Sequence, residues 1–192
     1  LRPKRREIAR KMALACRAAV PNKHIGYDQG QRNTLRAYAK LARWNLANVT
    51  DDCETDCSAF MAVCAEAAGV NMESAYTAGN APATFQMRAQ WGKTGEFEIL
   101  TDKKYLASAD YLLEGDVLVN ESRHTVMALS DGKYAEEERE VVEKSKMIID
   151  GKEVAVERIL KDGTNYVKVR DIAAALDLDV SNKGNIAVLT HK

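Results

Sequence analysis

The chain has 192 residues, of which 46% are hydrophobic and 29% charged, which is typical of a globular protein with one medium domain and one small one. Lysine plus arginine and aspartate plus glutamate each number 28, so the net charge is zero and a nucleic-acid partner is not expected. No apolar run approaches the roughly 18 residues that a membrane span needs, so membrane insertion is not expected either.

The N-terminal half of the sequence predicts helices. Apolar residues at helical spacing indicate four of them, over residues 4–20, 33–46, 57–68 and 83–91. Pro21 ends the first helix, and Pro82 precedes the fourth. Asp56 is a good N-cap for the third helix, and Gly69 follows its last residue. The third helix has the densest apolar sequence of the chain, with one face expected to point inward.

Beyond residue 92 the pattern becomes that of strands. Segments rich in β-formers predict strands over residues 97–100, 116–119 and 124–129. A turn at Asp131-Gly132 predicts a partner strand that begins at Lys133. Helices followed by strands predict an α+β fold for a first domain of residues 1–137. A charged linker is expected over residues 138–146, and a small second domain of short strands and one helix over residues 147–192.

Cys57 is the candidate nucleophile among the four cysteines. It lies in the first turn of a helix, where unpaired N–H groups and the helix dipole favour the thiolate, which is the attacking form. Cys16 and Cys64 fit apolar helix faces and are expected to be buried, whereas Cys53 is a candidate free thiol near the site. The cysteines lack the Cys-x2-Cys spacing of a zinc site, so neither a metal nor another cofactor is expected.

His124 is the candidate general base among the three histidines. Imidazole has a suitable pKa for ion-pairing with a thiolate. His191 is the penultimate residue, and His24 lies in a polar loop, so both are expected at the surface. His124 begins a strand, which is a rigid position at a sheet edge.

Three segments together resemble the NlpC/P60 cell-wall peptidases of the papain-like group. Asp-Cys-Ser-Ala-Phe at 56–60 resembles their nucleophile motif, and residues 113–118 and 124–127 resemble their Gly-Asp strand and their histidine strand. The resemblance covers residues 5–137. Gly-Tyr-Asp-Gln at 26–29, ahead of the catalytic helix, is similar to the phage-lysin branch.

This resemblance implies a papain-like fold, with N-terminal helices packed on an antiparallel sheet, and hydrolysis of a stem-peptide amide bond in bacterial peptidoglycan. Cys57 would attack the carbonyl, and His124 would protonate the leaving amine. The family usually has His, Asn or Gln about twelve positions beyond the base. Here Glu136 occupies that position, so it is the candidate third catalytic residue or, alternatively, the beginning of the charged linker.

The resemblance also implies that Tyr27, Asp56 and Ser58 contact the substrate. For Asp56 and Ser58, capping of the third helix is an equally good explanation. The sequence lacks the aromatic-glycine cluster that precedes the nucleophile in the family, so the substrate subsites are expected to differ.

Residues 147–192 are similar to the small domains called copper amine oxidase N-terminal-like, or stalk, domains. They contain no His/Cys cluster that would hold copper. In a wall enzyme such a domain is expected to bind the wall or to mediate self-association, which makes a homo-oligomer an expectation. The expected location is the cell wall or the extracellular space. Release from the host cytoplasm as a phage lysin is one route that fits this location, and the sequence shows no signal peptide that would define another.

Several alternatives remain open at this point. N-acetylmuramoyl-L-alanine amidase activity would use the same thiolate chemistry. A wall-binding protein without activity is an alternative of another class. A cysteine hydrolase acting on proteins, such as a deamidase or transglutaminase, is the third.

Overall fold

A computed structural model describes residues 1–135, 143–161 and 164–192. The chain folds into two compact units, Leu1–Glu138 and Arg139–Lys192. Helices and several small sheets occur together, which confirms the predicted α+β class.

The described helices of the first unit are α1 (Arg6–Ala19), α2 (Thr34–Leu41), α3 (Cys57–Ala67), α4 (Thr84–Gly92) and α5 (Lys103–Ala107), with short 3-10 turns at Leu46–Asn48 and Glu73–Ala75. Its described strands are β1 (Arg2–Pro3), β2 (Ile25–Tyr27), β3 (Cys53–Thr55), β4 (Phe97–Glu98), β5 (Val117–Asn120) and β6 (His124–Met127). β1 pairs antiparallel with β4, β5 antiparallel with β6, and β2 parallel with β3.

Helix α3 lies at the centre of the first unit. Its sequence is apolar on nearly every side, and a helix of this kind is buried all round. One core cluster includes Ala62 together with Met12 of α1 and Trp91 of α4, and a second includes Cys64 and Leu35 of α2. The expectation of a single inward face is therefore wrong, because the two clusters contact different sides of the helix.

The last turn of α3 carries a buried carboxylate, that of Glu66, whose side chain is 7% exposed. Arg36 of α2 binds it through Nη2 at 2.6 Å and Nε at 2.9 Å, and the Tyr76 hydroxyl donates a hydrogen bond of 2.9 Å to it. The Arg36 guanidinium also lies 3.7 Å from the centroid of the Tyr76 ring. Because a buried ion requires such partners, the cluster ties α2 to the C-terminal end of α3.

The loop before β5 is held against α1 by Gly115 and Asp116. Gly115 has a φ of +91°, and a Cβ there would overlap the backbone of Ala9, so this position requires glycine. The Asp116 carboxylate pairs with Arg2 at 2.7 Å and accepts a hydrogen bond of 2.9 Å from the Leu113 N–H. The Gly-Asp pair thereby fixes where β5 begins.

The second helix is shorter than the sequence predicts. It ends at Leu41 rather than at residue 46. Arg43 and Trp44 have φ angles of 52° and 63°, and this left-handed backbone cannot continue a right-handed helix. Leu46 is nevertheless buried, although it lies outside the helix.

The strand predicted from Lys133 is also wrong. The Gly132 N–H donates to the Leu112 carbonyl at 2.8 Å, and the Tyr134 N–H donates to the Asp110 carbonyl at 2.7 Å. The chain after β6 therefore turns onto residues 110–112 instead of returning along the hairpin. Glu136 and most of the predicted linker lie outside the described residues.

The second unit consists of short strands and one helix. Its described elements are β7 (Glu143–Ile149), β8 (Lys152–Lys161), β9 (Thr164–Val167), α6 (Val169–Ala175), β10 (Leu178–Lys183) and β11 (Ile186–His191). The first three strands form one antiparallel sheet and the last two form another. Val156 and Ala173 are buried, whereas Ile148 and Ile186 are largely exposed. Self-association or wall binding through this unit stays a prediction.

Candidate active site

The parallel pair β2–β3 places Tyr27 close to the start of α3. Tyr27 pairs with Thr55, and the Asp28 N–H donates a hydrogen bond of 3.0 Å to the Thr55 carbonyl. Thr55 precedes Asp56 and Cys57 directly in the sequence. Tyr27 is 61% exposed, so its ring is largely open to solvent.

Cys57 is the first residue of α3, as the sequence predicts. The Asp56 carboxylate caps the helix by accepting a hydrogen bond of 2.8 Å from the Ala59 N–H. The first N–H groups of a helix have no partner within it, and those of Cys57 and Ser58 donate no hydrogen bond in the part of the chain that the structure describes. Two backbone donors therefore remain available at the cysteine.

The thiol of Cys57 differs from the other three in its environment. Cys57 is partly exposed, whereas Cys16, Cys53 and Cys64 are buried. Burial raises the pKa of the Cys53 thiol to about 11, and the nearby carboxylate of Glu54 contributes to the same shift. Cys16 and Cys64 contact each other within the core. The expectation that Cys16 and Cys64 are buried is confirmed, and Cys53 is buried as well.

Arg32 binds the residues on both sides of Cys57. Its guanidinium lies 2.5 Å (Nε) and 3.1 Å (Nη2) from the two Asp56 carboxylate oxygens, and Nη2 lies 2.6 Å from the Ser58 hydroxyl. It also donates to the carbonyl oxygens of Ala81 at 2.7 Å and Pro82 at 3.3 Å. The Arg32 and Asp56 side chains are only 16% and 12% exposed. This is a buried bidentate ion pair, the strong form of the interaction.

The Arg32 ion pair keeps Asp56 charged. Burial acts to raise the pKa of the Asp56 carboxyl, but hydrogen bonds from Arg32, the Ala59 N–H and Ser58, with the charge of Arg32, outweigh burial. The pKa of Asp56 is therefore below its ordinary value. Asp56 and Ser58, predicted to bind substrate or to cap the helix, lie at its capped end, and their polar atoms are already engaged with Arg32.

His124 is the first residue of β6, opposite Asn120 at the end of the β5–β6 hairpin. β6 packs on α3. Alternation along the strand turns Thr125 and Met127 inward, where Met127 contacts both core clusters, and leaves the His124 side chain exposed. In the described residues, no hydrogen bond joins the His124 ring to the Cys57 thiol or to any other group.

A series of contacts links the segments that carry Cys57 and His124. Arg32 holds residues 81 and 82, which lead directly into α4. Within α4, the Thr84 hydroxyl donates to the Glu121 carbonyl at 3.1 Å, and Arg88 pairs with the Glu121 carboxylate at 2.9 Å. Glu121 lies in the turn that leads into β6. Helix α4 therefore connects the capped end of α3 to the turn next to His124.

A cleft of about 550 Å³ opens beside His124. Its wall is mostly apolar and includes Leu118 and Val126 from the outer face of the hairpin, together with Ile99 and Leu106. Arg88, Asn120 and Glu121 are among its polar residues, and Cys57 does not line it. The cleft is large enough for a peptide-sized group.

Sequence patterns alone do not identify Arg32 as part of this site. Arg32 is a single cation in a polar loop, twenty-four positions before Asp56. The available signal is indirect, since a carboxylate at a buried helix cap requires a partner. His24 is exposed, as expected, and its ring pairs with Asp52 at 2.8 Å.

Among the described residues, no group of three or more His, Cys, Asp or Glu side chains is arranged to hold a metal ion. No helix in the described ranges is long and apolar enough to cross a membrane.

One protein family, described as endolysin-like domain, has a sequence model that matches residues 1–135. The matched region spans more than half of the chain and contains Tyr27, Arg32, Cys57 and His124. No curated protein and no solved structure matches the chain at a significant level.

Proposed function

Because the chain belongs to the endolysin-like domain family, we propose that it is a phage-type lysin that hydrolyses an amide bond in the peptide stem of bacterial peptidoglycan. Family membership supports a cell-wall lytic enzyme. The cysteine mechanism, the NlpC/P60 relationship and the papain-like arrangement belong to the proposal. The observation that carries it is the environment of Cys57, a partly exposed thiol at the capped N-terminus of α3.

In the proposed first step, the Cys57 thiolate attacks the carbonyl carbon of the scissile amide. The oxyanion that forms is stabilised by the backbone N–H groups at the start of α3. The intermediate then collapses, the C–N bond breaks, and the imidazolium of His124 gives its proton to the departing nitrogen. The product of this step is a thioester on Cys57 and a free amine.

In the second step, His124 takes a proton from water, and the resulting hydroxide adds to the thioester carbonyl. The C–S bond breaks, which releases a carboxylate and restores the thiolate. His124 must turn toward Cys57 for both steps. Its ring is exposed, has no hydrogen-bond partner among the described residues and lies on the face of β6 opposite Thr125 and Met127, so the proposal requires a rearrangement at the start of β6.

The remaining predicted residues have supporting roles. Tyr27 is proposed to contact the stem peptide, because its exposed ring lies beside the end of β3. The apolar cleft next to His124 is proposed to receive an alkyl side chain of the stem. Glu136 remains the proposed third catalytic residue, orienting the imidazole of His124.

The test is digestion of purified peptidoglycan by the wild type, Cys57→Ala and His124→Ala. Loss of a nucleophile or base that acts with its partner is expected to reduce the rate by about a thousandfold or more. Cys16→Ala and His24→Ala are the matched controls, since each removes the same group from outside the site. Undiminished lysis by folded Cys57→Ala protein would disprove the cysteine mechanism and favour a non-catalytic or differently catalytic domain.

Mass spectrometry of the released fragments then identifies the bond. A cut within the stem peptide identifies an endopeptidase, which is the proposed activity. A free lactyl group on muramic acid identifies N-acetylmuramoyl-L-alanine amidase instead. Cleavage or deamidation of a generic protein substrate, with the wall left intact, would point to a hydrolase of another class.

A further inference from the structure

We propose that Arg32 is a positioning residue that keeps Cys57 reactive by neutralising the Asp56 carboxylate and fixing the start of α3. This inference rests on the proposed role of Cys57 as nucleophile. It assigns a function to a residue that belongs to no motif of the sequence. Arg32 acts through Asp56 and the helix terminus, and it does not itself touch the reacting atoms.

The electrostatic effect of Arg32 concerns the residue before the nucleophile. A carboxylate is a good helix cap, but a negative charge next to a thiol opposes formation of a thiolate. Asp56 stays charged at neutral pH, because its pKa is lowered by its hydrogen bonds and by the charge of Arg32. The bidentate pairing brings a positive charge to 2.5 Å and 3.1 Å from its oxygens, so the local charge beside Cys57 is close to zero.

The geometric effect of Arg32 concerns the direction of the two free backbone donors. Arg32 binds the residue before Cys57 and the residue after it, and it reaches across to the carbonyl oxygens of Ala81 and Pro82. The first turn of α3 is therefore anchored to the segment that leads into α4. Because helix ends fray unless they are held, this anchoring keeps the Cys57 and Ser58 N–H groups in one orientation.

Other acidic residues near Cys57 face away from it or are engaged elsewhere. Glu54 on β3 lies toward Gly26, and Asp28 accepts hydrogen bonds from the N–H groups of Gly30 and Gln31 in its own loop. Asp56 is the acidic residue joined directly to the nucleophile, and Arg32 is the cation that the structure pairs with it.

The experiment measures the rate at which iodoacetamide alkylates Cys57 at about pH 7, where a free thiol is mostly protonated. Peptide mapping separates Cys57 from the three buried cysteines. The variants are Arg32→Gln, Asp56→Asn, the double variant and Arg32→Lys. Arg36→Gln is the matched control, because Arg36 forms a similarly buried pair at the other end of α3. Thermal unfolding of each variant defines the temperature range in which it is folded.

Arg32→Gln is expected to slow alkylation about tenfold, because the uncompensated Asp56 charge disfavours the thiolate. The double variant is expected to recover most of the wild-type alkylation rate. Arg32→Lys is expected to retain part of the wild-type rate. Arg36→Gln is expected to react at the wild-type rate. A merely structural role for Arg32 would give no recovery in the double variant, and equal rates for folded Arg32→Gln and wild type would likewise overturn the proposal.

If Arg32→Gln does not fold, alkylation of Arg32→Lys is measured at a temperature where that variant is folded. An alkylation rate equal to that of the wild type would overturn the role of the bidentate pair. Alkylation does not depend on wall digestion. Failure of this inference is thus distinguishable from failure of the proposed function, which would appear as undiminished lysis by Cys57→Ala.

Discussion

The two ends of α3 carry the same kind of interaction for different purposes. At the N-terminal end Arg32 pairs with Asp56, and in the last turn Arg36 pairs with Glu66. The two acids are ten positions apart in the sequence, which corresponds to about 15 Å along the helix axis. Arg36 also contacts the Tyr76 ring and pairs with the exposed Glu73. Arg32 donates its remaining hydrogen bonds to Ser58 and to two carbonyl groups near Cys57.

The comparison teaches that burial of an arginine-carboxylate pair does not by itself identify a functional residue. What distinguishes Arg32 is that it binds both neighbours of Cys57, a partly exposed cysteine and the proposed nucleophile. The Arg36 pair is expected to contribute to stability alone. Substitutions at each end of α3, followed by measurements of stability and of wall lysis, test this division of roles.

The largest effect is expected for Arg36→Met. Removing one partner of a buried pair leaves Glu66 uncompensated and is expected to lower the free energy of unfolding by about 3–5 kcal/mol. Urea denaturation measures this loss. Wall lysis per folded molecule is expected to stay within about twofold of the wild type, because the sites are distant and share no partner. A large loss of lysis by folded protein would break the proposed division of roles.

A smaller effect is expected for Asp56→Asn. The amide still accepts the Ala59 hydrogen bond, but Arg32 loses its charged partner, so the free energy of unfolding is expected to fall by about 2 kcal/mol. The same denaturation experiment measures it. A loss as large as that of Arg36→Met would mean that the two ends are energetically equivalent.

The pH dependence of stability separates the ends further. The pKa of Asp56 is lower in the folded protein than in the unfolded chain, since its hydrogen bonds and the charge of Arg32 outweigh burial. Its contribution is therefore fully present above the unfolded value of about 3.9 and is lost as the pH falls through the folded value. As the pH is lowered below about 3.9, the wild type is expected to lose more stability than Asp56→Asn. Parallel curves for the two proteins would contradict this.

The smallest expected effect is a difference in iodoacetamide labelling between Cys57 and Cys53 in the wild-type protein. Burial and nearby acids raise the pKa of Cys53 to about 11. At about pH 8, brief treatment with iodoacetamide is expected to modify Cys57 and to leave Cys53 intact until the protein is unfolded. Mass spectrometry of peptides from native and unfolded samples gives the comparison. Equal native labelling of both cysteines would show that exposure at the start of α3 is not distinctive.

The parts of this architecture that the sequence predicts are those with local causes. Helix α3 is predicted closely because Asp56 and Gly69 mark its ends within the segment itself. The end of α2 is not, since positive φ angles at Arg43 and Trp44 have no clear signal in those residue types. Strand β1 is only two residues long, which is too short for any periodic pattern, whereas its partner β4 lies within the strand predicted over residues 97–100.

The candidate site follows the same rule. Cys57 and His124 stand out in the sequence because each occupies the start of a helix or strand. Arg32 does not, because its partner depends on how loops pack and not on spacing along the chain. Glu136 lies outside the described residues, so its predicted role is untested.

The parallel pairing of β2 with β3 determines how the segment between these strands, which carries Arg32, is held. Residues 28–52 connect the end of β2 to the start of β3. At one end of this segment the Asp28 N–H donates to the Thr55 carbonyl, and at the other the Cys53 N–H donates to the His24 carbonyl. This segment contains Arg32 and α2, and both of its ends are fixed on the paired strands β2 and β3. Because its two ends are fixed at adjacent points of β2 and β3, the segment brings Arg32 and α2 back against the start and the side of α3 without depending on contacts elsewhere for its closure.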